Sequence, residues 1–208
     1  MRPPKPGAII LALILGCSRG EPPALVSSAS ASVSLLPPAP PRSVVEPAPS
    51  ASAPPVDPGT LPQTRDRPSD ESDALRARAE ALFEAIQNDD PDRAMSAFFP
   101  LHAYEQVKAI PSPASDWKHR LVANFKRDIH AAHAQLGRKS TEARFVALDV
   151  GPGARWVEPG EEGNKLGYFR VYGSKLRYTL EGRERTLPIT SLISWRGEWY
   201  VVHLAGFT

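Results

Sequence analysis

Ser194-Trp195-Arg196-Gly197-Glu198-Trp199-Tyr200-Val201-Val202-His203-Leu204 sets large apolar residues on either side of a two-residue Arg-Gly turn, the pattern of a tight β-hairpin. The two-residue strand period puts Trp199, Val201 and His203 on one face and Tyr200, Val202 and Leu204 on the other. Both faces are substantially apolar, so the strand is expected to be covered twice: by helices on one side, and by a partner subunit or the tether described below on the other. Working back from the hairpin, Ala143 to Val150 reads as a first strand. Tyr168 to Leu204 reads as four more, antiparallel and separated by Gly173-Ser174, Glu181-Gly182 and Arg196-Gly197. Pro188 cannot donate to a ladder, which predicts an edge position or a bulge there.

Ahead of the strands the apolar period becomes helical. Leu75, Ala79, Leu82, Phe83 and Ile86 form one stripe within Ser72 to Gln87. Asn88-Asp89-Asp90-Pro91 then stops that helix and starts another, with Asp90 as N-cap and Pro91 in the first position. A short helix over Leu101 to Val107 is broken by Pro111-Ser112-Pro113. A long one follows from Trp117 to Leu136, capped by Ser115 or Asp116, with Trp117, Leu121, Phe125, Ile129, Ala132 and Leu136 as its buried stripe and Gly137 at its end. The expected head is therefore an α+β domain over 70–208, a size suited to one core.

The residues before the head have another character. Ser18 to about Ser69 is rich in proline, alanine and serine, lacks aromatic residues and shows no sustained period, which predicts a polyproline-like, disordered tether over 17–69. Recognition of its proline motifs, or O-glycosylation of its serines, are alternative uses. Met1 to Gly7 carries Arg2 and Lys5, and Ala8 to Leu15 is uninterrupted apolar sequence, too short to span a bilayer, so 1–16 reads as an export signal. Cys17 is the sole cysteine, so no intramolecular disulfide is available to the head.

Two resemblances follow from these residues. Leu13-Ile14-Leu15-Gly16-Cys17 resembles the lipobox of bacterial lipoprotein precursors. That resemblance implies a diacylglyceryl thioether on Cys17, cleavage after Gly16, fatty acylation (palmitate) of the new amino terminus and anchoring to a lipid membrane. Ser18 after the lipobox is compatible with the outer membrane of the cell envelope. An ordinary secretory signal with an incidental cysteine is the competing reading. The order of amino-terminal helices and a bent antiparallel sheet closing on the 194–204 hairpin resembles the cone-shaped nuclear transport factor 2-like (NTF2-like) superfamily. Its members include isomerases, dehydratases and protein-binding modules, so the resemblance does not choose a chemistry. The stretch Gly151 to Gly167 is longer than in the shortest versions and is expected to lie across the mouth of the cone.

Charge and motifs narrow the function further. Between Arg65 and Thr208 the head holds 21 Lys or Arg against 20 Asp or Glu, and this near balance argues against nucleic acid as the main partner. No dinucleotide glycine fingerprint, Gly-x-Ser-x-Gly elbow or His-Glu-x-x-His pair occurs, and no cofactor is implied. His203 is the first candidate for acid/base work or ligand contact, with Trp199 and Tyr178 as ligand-binding companions and Asp128, Asp149 or Tyr178 as groups able to approach it. His130 and His133 are spaced to share a metal on one helix face, but read better as solvated histidines. The loop Glu158-Pro159-Gly160-Glu161-Glu162-Gly163-Asn164 offers oxygens for calcium without the EF-hand spacing, and reads better as a solvated turn. The leading functional reading is a membrane-tethered, non-catalytic binding or interaction module, with a homodimer or protein partner on the sheet face. The alternative is a small isomerase, dehydratase or hydrolase using His203.

Overall fold

Helix α1 (Asp73–Asn88) begins where the Leu75 N–H donates to Ser72 Oγ at 3.1 Å, which satisfies one of the free donors of the first turn. Its stripe of Leu75, Ala79, Leu82, Phe83 and Ile86 is buried as the period predicts. The helix stops at Asp89, in the left-handed region with φ 55°. The structure, a computed structural model, describes residues 56–204; the signal segment, Cys17 and the tether before Val56 lie outside the described residues.

After α1, Pro91–Ser96 forms a 3₁₀ turn in place of the expected helix. Asp90 does not cap it by a side-chain bond and instead pairs with Arg93 at 3.0 Å. Helix α2 (Leu101–Val107) follows, then α3 (Pro113–Asp116), a π-helical stretch (Trp117–Val122) and α4 (Ala123–Leu136) run on as one long helical segment. Its core side carries Leu121, Phe125, Ile129, Ala132 and Leu136, and Gly137 ends it with φ 68°. Among the described residues no helix is long and apolar enough to cross a membrane.

The strands are β1 (Arg144–Asp149), β2 (Arg155–Val157), β3 (Tyr168–Leu180), β4 (Arg183–Trp195) and β5 (Glu198–Leu204). They form one antiparallel sheet in the order β1-β3-β4-β5, with β2 beside the start of β3, so the class is α+β. Two expectations need correction. Gly173-Ser174 is not a turn: β3 runs straight through it, Gly173 taking φ 72° in mid-strand, so Tyr168 to Leu204 holds three strands rather than four. The fifth strand is β2, inside the expected insertion. Pro188 pairs with Lys175 of β3, one residue beyond Ile189, which pairs with Leu204 of β5, and the expected bulge lies close by at Thr190.

The β4–β5 ladder contains two compensating irregularities. Leu192 pairs with Val201 and Ser191 with His203, leaving Val202 as the extra residue on β5; Ile189 then pairs with Leu204, leaving Thr190 extra on β4. A bulge reverses side-chain alternation beyond it. Trp199 and Val201 therefore face α1, beside Leu75, Ala79 and Leu82, while His203 turns away and joins Val202. The expectation that His203 shares a face with Trp199 and Val201 is corrected by this bulge.

The outer edge of β5 is closed by the chain itself. Phe99 N donates to Val201 O at 3.0 Å and Val201 N to Ala97 O at 2.9 Å, which sews the segment before α2 onto the outer edge of β5. Asp57 to Asp70, most of it assigned by sequence to the tether, also lies on the head. Trp195 Nε1 donates to Pro58 O at 2.7 Å, and Trp199 Nε1 to Asp70 Oδ1 at 3.0 Å. Gln63 Nε2 donates to Ser194 O at 3.2 Å and Gly167 O at 3.3 Å, while its Oε1 accepts from Arg196 N at 2.8 Å. This strap holds by polar groups, among them the Pro58 carbonyl, the Gln63 amide and the Asp70 carboxylate, so its ordering left no trace in apolar periodicity. Beneath it, Phe98 stacks on Phe125 with centroids 4.4 Å apart, and Phe99 meets Trp195 and Tyr200 edge-on.

Candidate functional site

Beside the filled aromatic core lies a hollow walled by both helices and sheet. Between α2, the π-helical stretch and the face of β3, β4 and β5 opens a pocket of about 190 Å³. Phe99, Val107, Leu121, Ile193 and Val202 give it apolar walls. Lys108, Arg120, Glu162, Arg170 and His203 bring ionisable groups to the same space.

Each polar group is placed by its own local structure. Tyr104 and Lys108 are one helical turn apart at the end of α2, so they project on the same side. Wider π-helical spacing brings Arg120 and Leu121 into the pocket wall, in keeping with the frequency of such turns at functional sites. Asp116, expected as a cap, instead accepts from Arg120 Nε at 2.6 Å and from the Tyr104 hydroxyl, and Arg120 Nη2 also donates to that hydroxyl at 3.1 Å. Burial and then Asp116 push the Tyr104 hydroxyl well above the ordinary tyrosine range, so it stays protonated. The Arg120 guanidinium holds Asp116 below the usual carboxylate range.

On the opposite wall, Arg170 comes from β3 and pairs with Glu162, while its guanidinium lies 4.6 Å from the Tyr172 ring centroid. Glu162 belongs to the Gly151 to Gly167 stretch. That stretch is pinned to the end of α2 by Ala109 N to Gly163 O at 2.9 Å and Lys165 N to Val107 O at 2.8 Å, which sets it at the pocket's edge. Burial works to raise Glu162, but Arg170 outweighs it and the carboxyl is held low. The Tyr168 hydroxyl, which donates to Glu162 and accepts from Asn164 Nδ2 at 2.8 Å, is pushed up to about 12 by burial and by the Glu162 charge. Lys108 is lowered by burial, with Arg120 adding to the effect against an opposing pull from Glu162. His203 is lowered by partial withdrawal from water, then by Arg120 and Lys108.

Of the three residues singled out by sequence, only His203 lines the pocket. Trp199 is buried against α1, and Tyr178 packs on Phe83 with centroids 5.7 Å apart. Asp149 pairs with Arg177 at 2.8 Å, and Asp128 lies 3.8 Å from Arg127. Among the described residues, none of these and no other carboxylate or tyrosine hydrogen-bonds to His203. His130 binds Asp89 at 2.6 Å and His133 lies 2.9 Å from Ile86 O, so both serve the carboxyl end of α1. In the Glu158 to Asn164 loop, Glu161 and Glu162 are paired with Arg155 and Arg170. No group of three or more potential metal ligands occurs among the described residues.

Sequence reasoning missed Lys108, Arg120 and Arg170, and named Glu162 only among the loop oxygens open to calcium. The available signals were the Asp116/Arg120 spacing of four and an arginine set inside the apolar run Tyr168-Phe169-Arg170-Val171-Tyr172. No family model, no curated protein and no solved structure matches this chain.

Proposed function

We propose that this chain is a membrane-tethered bacterial lipoprotein, held at the outer membrane by acylated Cys17, whose head is a non-catalytic binding module of the cell envelope. The fold we propose for the head is an NTF2-like cone; the order of helices before a bent antiparallel sheet, and a pocket between helices and sheet, support it. The observation that carries the binding reading is the pocket's composition: apolar walls, and a rim whose Tyr104, Arg120, Glu162 and Arg170 are held in hydrogen bonds and ion pairs that do not include His203. The enzymatic alternative draws on His203, kept in its neutral form at the rim. Acid/base work there needs an orienting partner, and none contacts the ring among the described residues.

Binding is tested by titrating the full chain with benzyl alcohol and following the methyl resonances of Val107, Leu121 and Val202. Saturable shifts confined to these positions are expected, and their absence up to the probe's solubility counts against the pocket as a binding site. Anchoring is tested separately. The parent chain is expected to enter the detergent phase and the Cys17→Ala chain the aqueous phase, since each buried methylene of an acyl chain contributes about 0.8 kcal/mol. Detergent partitioning that survives the substitution would remove the lipid anchor from the proposal.

A further inference from the structure

The charge of the pocket is unbalanced in one direction. Lys108, Arg120 and Arg170 line it together, and Glu162 is the lining carboxylate, already paired with Arg170. Asp116 offsets Arg120 from behind. Donor capacity is also left over. Lys108 Nζ reaches only the backbone carbonyl of Glu162, at 3.3 Å, and Arg170 Nε is a buried N–H with no partner among the described residues. A buried donor without an acceptor is uncommon in folded proteins and costly to keep. The apolar walls supply the second half of the recognition. A closed apolar cavity of about 150 Å³ accepts benzene, and drug-sized ligands need roughly 300 Å³ or more. The 190 Å³ here lies close to the first figure and short of the second.

We infer that the pocket takes a small organic monoanion: a carboxylate set against Lys108 and Arg170, on an apolar body about the size of a benzene ring lying on Val107, Leu121 and Val202. This rests on the binding reading above and adds the ligand's charge and size. A carboxylate supplies Lys108 Nζ with the charged acceptor it lacks. It also offsets the positive charge of Lys108, which no carboxylate pairs with among the described residues. Charge-assisted bonds of this kind are roughly twice as strong as neutral ones, so the head group is expected to add about tenfold in affinity.

The test compares benzoate with benzyl alcohol on the full chain, by the same methyl resonances, with inorganic phosphate as a third probe. Benzoate is expected to bind about tenfold more tightly than benzyl alcohol and to weaken as salt is raised. Lys108→Gln is expected to bring benzoate down toward benzyl alcohol, and a methyl spectrum of the unliganded variant that matches the parent's away from the pocket shows that it is folded. Equal affinities for the two aromatic probes overturn the anion and leave the binding module standing. Phosphate competing as well as benzoate overturns the apolar body. If neither aromatic probe shifts the pocket, this inference and the binding reading fail together.

Discussion

Trp195→Ala is expected to destabilise the head by about 3–5 kcal/mol, the range for deleting a fully buried aromatic side chain. Trp195 is 0% exposed, meets Phe99 edge-on and donates its indole N–H to Pro58 O at 2.7 Å. The substitution therefore opens a cavity in the core and releases one end of the strap in the same step. Trp195→Phe separates the two effects. It keeps most of the ring volume and removes the donor, so it is expected to cost about 1–3 kcal/mol and to raise hydrogen exchange or protease cleavage around 57–63. Chemical denaturation of the three chains checks the order. A Phe variant as unstable as the Ala variant would mean that the bond to Pro58, rather than the filled core, dominates.

Gly151→Ala is expected to cost about 3 kcal/mol or more, through space rather than through backbone angle. A Cβ at Gly151 would stand 1.9 Å from Tyr172 O and 3.1 Å from the Gly173 carbonyl carbon, and these are backbone atoms that move only with β3. Gly151 N also donates to Ser174 Oγ at 3.0 Å, so the close approach is bonded as well as tight. Tyr172 lines the pocket, and displacing its backbone should disturb the pocket along with stability. Gly153→Ala is the control. That residue has φ 79° with open space around it, so about 1–2 kcal/mol of conformational strain is the whole expected cost. Equal losses at the two glycines would contradict the steric account.

Legibility in the sequence followed the type of force involved. Helix α1 was readable because its cap and stripe are local: Ser72, then Leu75, Ala79, Leu82, Phe83 and Ile86. The hairpin at Arg196-Gly197 was readable because both residues take the left-handed conformation a two-residue turn needs, φ 52° and 74°. Gly173 carries the same conformational licence in mid-strand, where only its neighbours across the sheet reveal that no turn occurs. The bulge at Val202 is likewise a property of two strands, and it moved His203 to the opposite face. The pocket was least legible. Its charged members come from α2, the π-helical stretch, the 151–167 loop, β3 and β5, and each reads alone as an ordinary surface charge.

The strap gives the head an order of assembly. Its bonds join Gln63 to Ser194, Pro58 to Trp195 and Asp70 to Trp199, across 131, 137 and 129 residues of chain. Contacts of such separation are the slowest to form, because the loop between them must close before they contribute anything. A chain made from its amino terminus holds Pro58, Gln63 and Asp70 without these three partners until the last hairpin has been synthesised. Closure of the strap is thereby a check on completeness: a nascent head stalled before Glu198 has its helices and most of its sheet, but it lacks β5, on which Ala97 to Phe99 and Asp70 find their partners.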